Sequence, residues 1–600
     1  MAPYQNILLV YPEVPSGTYW SYKYALKFIK KKSAMPPLGL LTIAALFPKD
    51  RELKIVDMNV ADLEDSLLQW ADAVFISAMI VQKQSLEEVI ARCVKMGKKI
   101  VVGGPYATNS WKEIHGADHI LRGEVDETLG EFVDELDRGC AKAIYDMPAR
   151  PDITSLPVPR FDLLDIDAYG SMSVQYSRGC PFHCEFCDIW TVYGNKPRLK
   201  SAQCMTAELD ALLDLGWQGA VFLVDDNFIG NRGRVKKELL PALIKWQQQH
   251  EYPFHFYTEA SINLADDQDL MAAMREAGFN SVFIGIETPD PQSLSETGKV
   301  QNLKSDMEVS VRTIQKNGME VLAGFILGFD NDSADIFDRQ IEFIQKNAIP
   351  QAMIGLLNAL PGTRLYQRLE AQGRIRNESA GNNTHNMQTN FETIMDAETL
   401  RLGYRKILKH LYGFRLKNYF SRCSHLLDRV ECRNLYPRKI HAEEIKIFFR
   451  SLCRQPFTSY GFNYIKYLLR NAIKNRDLFA EVVTYSIYGH HYHTITRQTL
   501  KKEKIADILD KKYKKFVKKV NSYSTAARAG SGKQLKAMKR LWDTRMRYLK
   551  QMQHKINKLN EDYRQELSTK FLDISAKMRE LVANLETRTL SFSDSGDMRP

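Results

Sequence analysis

The sequence predicts an α/β chain of two consecutive parallel-sheet domains followed by a mostly helical C-terminal region. Three observations carry this. Short apolar runs alternate with helix-patterned stretches over residues 5–140, and the alternation recurs over residues 171–397. It stops near residue 400, where apolar residues take up helical spacing among many Lys, Arg, Tyr and Phe.

In the first unit, strands are expected at Asn6–Tyr11, Lys54–Asp57, Ala73–Ser77, Lys99–Gly103 and His119–Leu121, with helices at Leu38–Phe47 and Ser85–Met96. Gly and polar residues follow the strand ends, where doubly wound sheets bind ligands. Neither G-x-G-x-x-G nor G-x-x-x-x-G-K-[ST] occurs, which excludes a dinucleotide fingerprint and a phosphate loop. In the second unit the strands are Met172–Tyr176, Ala220–Phe228, Phe254–Ala260, Ser281–Glu287, Val321–Gly328 and Ala352–Leu357, with helices such as Asp267–Ala277 and Ser305–Lys316 between them. That order implies a partial (β/α)6 barrel, whose chemistry sits at the strand C-termini; there the chain places Asp225, Asp226, Glu259, Glu287 and Asn358. The expected division is 1–145, a linker over 146–170, a barrel over 171–397, a helical domain over 398–495 and a basic helical tail over 496–600.

With 44% hydrophobic and 26% charged residues the composition is globular, excluding global disorder and fibrous repeats. The longest apolar run, Leu38–Phe47, is about half the ~20 residues of a membrane span, and the N-terminus lacks a secretory pattern. A cytoplasmic protein is the expectation. Its net charge of +11 conceals an asymmetry: residues 1–400 carry 39 Lys and Arg against 54 Asp and Glu, and residues 401–600 carry 44 against 18. A basic tail on an acidic body suggests an anionic partner: a lipid surface, a nucleic acid, or an acidic face of the same protein.

Nine cysteines are too few for a disulfide scaffold. Cys93, Cys140, Cys204, Cys423, Cys432 and Cys453 are scattered, and a buried thiol is the default for each. Cys180, Cys184 and Cys187 differ, forming C-x3-C-x2-C directly after a strand. Soft thiolates so spaced can hold three irons of a [4Fe–4S] cube and leave the fourth open. Gly179 and Pro181 favour a tight loop, and Phe186 can shield the cluster from water. The alternatives are a zinc loop, with His183 as fourth ligand, and a chance cluster.

The spacing and the residues after it resemble the radical S-adenosylmethionine (SAM) superfamily. That resemblance implies that SAM chelates the open iron and is cleaved by one electron from an external donor, giving a 5′-deoxyadenosyl radical. It also implies that Asp225, Asp226 and Asn227 face the SAM amino end, that Glu287 faces the ribose and methionine, and that Gly324 and Gly328 let backbone approach adenine. Phe186 and Glu259 complete the expected SAM site, and Pro361-Gly-Thr363 reads as a turn.

Ahead of the barrel, Tyr11-Pro12, Met35-Pro-Pro-Leu-Gly39, Asp57-Met-Asn59, Ser77-Ala-Met79, Gly103-Gly104-Pro105 and Arg122-Gly-Glu124 resemble the cobalamin-binding class of that superfamily. The resemblance implies a cobalamin site drawn from Tyr11, Pro12, Asp57, Asn59, Ser77, Gly103, Gly104 and Glu124. The chain departs from D-x-H-x-x-G, having Asn at 59 and Asp at 62, so the lower face of the cofactor should lack a His ligand. The departure also leaves open a domain that has lost cobalamin. The strings Tyr11-Pro-Glu-Val-Pro15, Thr18–Tyr24 and Lys27-Phe-Ile29 resemble a subgroup whose C-terminal domain has no assigned function.

Toward the C-terminus, Gly489-His-His-Tyr-His493 is expected as a loop forming a basic aromatic surface, with a metal site as the alternative. Nine Lys lie within Lys501–Lys519, and Leu535–Leu585 has apolar residues near a 3.5 repeat, predicting a long amphipathic helix or hairpin hinged at Ala526–Lys533. Its expected roles are self-packing, dimerisation, or docking on anionic membrane. Residues 590–600 are expected to be disordered.

The expected function is methyl transfer from methylcobalamin to an unactivated carbon of a small-molecule or lipid substrate. Cyclisation or rearrangement without methyl transfer is the alternative in the same class, and RNA modification or RNA binding the alternative in another. Against RNA, the three further N-terminal cysteines of sulfur-inserting relatives are missing and no β-barrel RNA module is evident.

Overall fold

Four apolar runs, Ile7–Val10, Val74–Ile76, Ile100–Val102 and Ile120–Leu121, are buried in strands of the first sheet, as a parallel sheet covered on both faces requires. The computed structural model describes residues 4–147, 149–385, 387–431, 442–526 and 531–593. Residues Met1–His493 form one compact unit and Thr494–Pro600 a second.

The first sheet holds β1 (Asn6–Tyr11), β2 (Glu52–Asp57), β3 (Ala73–Ser77), β4 (Lys99–Gly103), β5 (His119–Gly123) and β6 (Ile144–Met147) in the order 2-1-3-4-5-6. All its pairings are parallel, so every strand delivers its C-terminal residue to one edge. Tyr11 pairs with Asp57 there, and Ser77 with Gly103. Strand β6 was not expected; its four residues alternate in burial and carry only a weak apolar signal.

The second sheet holds β7 (Met172–Val174), β8 (Gly219–Leu223), β9 (Phe254–Ala260), β10 (Phe279–Glu287), β11 (Glu320–Leu327) and β12 (Ala352–Leu356), parallel and in sequence order. This is the open, six-stranded barrel that the β-α alternation predicts. A register shift between Gly285 and Glu287 precedes the last β10–β11 pair, Glu287 with Phe325, and Asn302 Nδ2 donates to the Gly285 and Ile286 carbonyls there, at 3.0 Å each. Glu287 consequently takes a φ of 64°.

Beyond the barrel the unit is helical, with Ala397–Tyr412, Lys417–Arg429, Ala442–Arg454, Gly461–Lys474 and the long Phe479–Ala526. The Gly489–His493 string lies inside that last helix, not in a loop, and His490, His491 and His493 are buried. His491 stands at 3.0 Å from the Tyr19 carbonyl, and His493 Nδ1 at 2.9 Å from the Tyr412 carbonyl. The string is core, and the expected aromatic surface is corrected accordingly.

The second unit packs the end of that helix with Ser531–Ile556 and Glu561–Ser593 around Leu509, Phe516, Leu541, Met552, Leu567 and Met578. The break between its last two helices falls at residues 557–560. Residues 590–593, expected to be disordered, continue the last helix, while 594–600 lie outside the described residues. Of the expected hinge Ala526–Lys533, residues 527–530 lie outside them as well. Among the described residues no helix is long and apolar enough to cross a membrane.

Candidate active site

The three cysteines occupy a loop whose conformation is set by its neighbours on every side. Its entry is held by the two carboxylates after β8. Asp225, fully buried, accepts from the Tyr176 amide at 3.1 Å and from the Ser177 amide and hydroxyl, while Asp226 accepts from the Gly179 amide at 3.0 Å. Both residues follow the strand end where the barrel pattern places them, and both accept from backbone amides. Burial pushes the Asp225 carboxyl up to about 7 and that of Asp226 to about 6, partly offset by these hydrogen bonds.

Further along the loop, the Glu185 amide donates to the Thr297 carbonyl at 2.8 Å, and Arg368 reaches the Glu185 carboxylate at 2.6 Å. Cys184 is buried, and Gln301 Nε2 lies 3.8 Å from its sulfur. Phe186 packs beside Phe329, ring centroids 6.2 Å apart. Burial pushes the Cys180 and Cys187 thiols above the ordinary thiol range, so a bound metal is what would hold them as thiolates. His183 is turned away to the side, its Nε2 3.1 Å from the Asn195 amide nitrogen. Among the described residues no three His, Cys, Asp or Glu side chains close on a single ion. Three thiols on one loop, serving separate irons of a cube, fit the cluster better than a mononuclear zinc.

Around this loop the barrel mouth is acidic. Glu259, near the end of β9, is half-buried; its carboxyl is pushed up to about 8, by desolvation first and then by Asp226, with Lys299 opposing. Lys299 Nζ lies 2.7 Å from Glu287 Oε1. At Gly324 the close neighbour within the protein is Phe283. A Cβ there would stand 3.0 Å from the Phe283 ring.

A cavity of about 560 Å³ separates the C-terminal edges of the two sheets. From the first sheet Ser77, Gly103, Gly104 and Glu124 line it, and from the barrel side Arg178, Asp188 and Asp226. Four of the eight expected cobalamin residues are therefore on one wall, next to the cluster loop. Gly104 has a φ of 89°, and a Cβ there would come 2.6 Å from Ser77 Oγ, so only glycine keeps this wall open. No histidine is among the lining residues. An open, glycine-floored face without an imidazole fits a cobalamin held without a lower His ligand.

The other four expected cobalamin residues do not reach the cavity. Asp57 is buried and accepts from the Tyr169 hydroxyl at 3.0 Å, which ties the linker to the first sheet. The Asn59 side chain accepts from the Val14 amide at 2.8 Å, and Gln82 donates to the Pro12 carbonyl at 2.6 Å. These bonds fasten the chain after β1 over the β1–β2 side of the edge, and Tyr11 and Pro12 belong to that fastening. The cavity consequently lies over β3, β4 and β5.

Sequence reasoning missed the ion pairs between domains. Arg178, two residues before Cys180, donates to Glu124 at 2.8 Å and to Asp126 at 2.6 Å; Arg198 reaches Glu124 at 2.7 Å. Glu124 was expected as a cofactor contact and is foremost a bridge from β5 to the cluster loop. Lys299 was missed too, its only signal being its place after the Thr297-Gly298 turn that brings the chain back to Glu287.

Family models match the chain as a B12 binding domain over residues 28–133, the Radical SAM superfamily over 174–344 and a domain of unknown function, DUF4070, over 363–504. An uncharacterized methyltransferase of Synechocystis sp. is 40% identical over 539 residues, spanning 88% of this chain and 99% of its own. The hopanoid C-2 methylase of Rhodopseudomonas palustris is 35% identical over 376 residues, spanning 62% of this chain and 71% of its own. The fold is that of the radical SAM methyltransferase TsrM of Kitasatospora setae, solved with cobalamin and a [4Fe–4S] cluster, at a TM-score of 0.50 and 13% identity over 83% of this chain and 99% of that one. Agreement along nearly the whole of one relative, together with this chain's matches to both cofactor-domain models and to DUF4070, places this chain among the cobalamin-binding radical SAM enzymes with a DUF4070 domain, whose cofactors are a [4Fe–4S] cluster, SAM and cobalamin.

Proposed function

We propose that the enzyme methylates an unactivated carbon of a hydrophobic small molecule or lipid. One observation carries the reading: a single cavity is walled by the glycine-floored edge of the first sheet and by the cluster loop of the barrel. With its cofactors bound, the site supplies a methyl-carrying cobalt and a one-electron cleavage of SAM.

In this reading the chain's own residues position and enclose. Cys180, Cys184 and Cys187 hold three irons, and Phe186 covers the loop from the barrel side. Asp225 and Asp226 fix the loop's entry through backbone amides, while Glu259, Glu287 and Lys299 provide the charged mouth on which SAM is oriented. Ser77, Gly103 and Gly104 form the floor for the corrin, and Glu124 keeps both walls in register through Arg178. Leu38, Phe75, Met79, Ile80 and Leu360 line the same cavity and favour an apolar acceptor. A polycyclic hydrocarbon of the hopanoid kind suits such a wall, as the similarity to a hopanoid C-2 methylase supports. An external one-electron donor is the partner this chemistry calls for. Methyl transfer is preferred to cyclisation because a methyltransferase and a methylase match at 40% and 35% identity over 88% and 62% of this chain, whereas the magnesium-protoporphyrin ester cyclases reach 23% and 24% over 47% and 52%.

The test is anaerobic reconstitution with cobalamin, reductant and SAM carrying a deuterated methyl group, offered lipid extracts or purified hopanoids. The expected result is a cobalamin absorption spectrum, 5′-deoxyadenosine, and a product heavier by the labelled methyl. Cys184→Ala should abolish both products while leaving the cobalamin spectrum. Deoxyadenosine formed by protein that binds no cobalamin would overturn the reading.

A further inference from the structure

The DUF4070 region exposes an apolar face that no part of the site uses. On the helix Gly461–Lys474, Tyr464, Tyr467, Leu468 and Asn471 are buried, while Phe462, Leu469 and Ile473 are 82%, 62% and 81% exposed. Exposed Lys466 joins them at i+4, so the four lie along one stripe at positions i, i+4, i+7 and i+11. The preceding helix, Ala442–Arg454, repeats the pattern with Ile445 and Phe449, 50% and 56% exposed, and Phe457 in the connection is 87% exposed. Six large apolar side chains left in solvent on consecutive elements are more than the scattered surface residues any protein carries.

Charge says what covers them. Over residues 442–476 the chain has seven Lys and Arg against two Glu, Glu443 and Glu444. Arg415 and Lys417, both exposed, join the same surface, since Asn463 Nδ2 donates to the Arg415 carbonyl at 2.7 Å. Glu443 pairs with Lys446 and Arg450, and Asp428 with Arg470 and Lys474, so two carboxylates meet four of these cations and a reduced basic excess remains. The face is also rigid: Tyr464 bonds Ser451 at 2.9 Å, Gln455 bonds Ser486 at 3.1 Å and Asn471 bonds Ser424 at 3.1 Å. Apolar side chains interleaved with cations on fixed helices match the headgroup zone of an anionic bilayer, which takes the rings into its acyl boundary and the cations at its phosphates.

We propose that residues 442–474 are the membrane-docking face of this protein, seated on anionic lipid through Phe457, Phe462, Leu469 and Ile473. This differs from docking by the lysine-rich Lys501–Lys519 segment. That segment has the charge, but its unit turns Leu509, Phe516 and Val520 into its own helical core. The inference does not need the methyl acceptor to be a lipid, so its test stands or falls apart from that of the reaction.

The experiment is co-sedimentation of the full chain with vesicles of phosphatidylglycerol and phosphatidylcholine in equal parts. Binding is expected, and Phe457→Glu/Phe462→Glu should weaken it at least roughly tenfold without changing the unfolding temperature, since neither ring is packed. The comparison variant Lys511→Gln/Lys512→Gln/Lys514→Gln/Lys515→Gln should stay within about threefold of the parent. The fluorescence of a Phe462→Trp variant should be quenched by brominated lipid. No binding by the parent, loss only in the lysine variant, or unquenched fluorescence in Phe462→Trp would each overturn the proposal. So would a phenylalanine variant that binds vesicles normally but turns a dimer into a monomer on size exclusion, since a second copy would then be the occupant.

Discussion

Lys299 Nζ meets Glu287 Oε1 at 2.7 Å at the barrel mouth, where β10 ends on a left-handed residue. Burial alone would lower the lysine; the Glu287 carboxylate foremost offsets it and holds the ammonium charged. Removing one partner of a buried pair leaves the other uncompensated, at a cost of about 3–5 kcal/mol. Lys299→Met should therefore lower the unfolding temperature by several degrees, and Lys299→Met/Glu287→Gln should recover most of that loss. Deoxyadenosine formation is expected to stay below roughly a tenth of the parent in both, because the cation beside the cluster loop is missing either way. Calorimetry and mass spectrometry read the two effects separately; recovery of turnover in the double variant would make the pair a structural clamp only.

Arg178 serves both domains at once, with Glu124 and Asp126 on one side and the start of the cysteine loop on the other. Arg178→Met would leave Asp126 without its cation and Glu124 with Arg198 alone, costing about 3–5 kcal/mol. The expected outcome is faster limited proteolysis within residues 148–170 and a lower cluster occupancy, measured as iron per chain. Glu124→Gln keeps a hydrogen-bond acceptor for both arginines and should lose less. Equal proteolysis rates in parent and Arg178→Met would show that the domains are held together by other contacts.

The two sheets were legible because each is built from short apolar runs at regular spacing, and the edge that carries the chemistry follows from strand direction alone. Ser77, Gly103, Gly104 and Asp226 are strand-end residues and line the cavity. Asp57 and Asn59 are strand-end residues too, yet they fasten Tyr169 and Val14, because strand ends alone do not say which side of the edge later chain will cover. Arg178 and Lys299 find their partners across 54 and 12 residues of sequence, and no local pattern encodes such pairing. The Gly489–His493 string misled for a related reason. Glycine weakens a helix locally, but here the Tyr419 ring approaches so closely that a Cβ would stand 2.5 Å from it, so tertiary packing selected the glycine and kept the helix.

Gly103 and Gly104 are adjacent on the cavity wall and should respond differently to one added carbon. At Gly103 a Cβ meets nothing closer than 3.8 Å, whereas at Gly104 it lies 2.6 Å from Ser77 Oγ on a backbone with a φ of 89°. Gly104→Ala incurs backbone strain of about 1–3 kcal/mol, in an extended positive-φ conformation that essentially only glycine adopts, and displaces the Ser77 hydroxyl. Cobalamin affinity, titrated by absorbance, should fall at least about tenfold in Gly104→Ala and stay within about threefold in Gly103→Ala. Equal affinities would place the corrin elsewhere.

Glu320 opens β11 at the end of the barrel opposite the cluster, and its environment is made of tyrosines. Gln351 Nε2 donates to it at 3.1 Å, while the Gln351 oxygen accepts from Tyr22 at 3.1 Å and Tyr492 at 2.7 Å. Burial pushes the Glu320 carboxyl up to about 7, opposed by Gln351 and Tyr485. The groups it influences, Tyr22, Tyr467, Tyr485, Tyr488 and Cys423, are all raised above their ordinary values and stay neutral near pH 7. In the folded state the proton therefore stays on up to about pH 7, whereas the unfolded chain releases it near its ordinary value of 4.5. Between those two values the native state binds more protons, so stability falls as pH rises, and the contribution present below the lower value is lost through the upper. For this partly exposed side chain the loss should be about 2 kcal/mol. Asp225, Asp226 and Glu259 are raised as well and add slopes of the same sign, so the parent alone cannot isolate Glu320. Glu320→Gln removes one titration and keeps an acceptor for Gln351; its unfolding free energy should decline less than the parent's between pH 5 and pH 8, by about that 2 kcal/mol. Parallel pH profiles for the two proteins would mean that Glu320 is ionised in the folded chain and finds a cation among its partners.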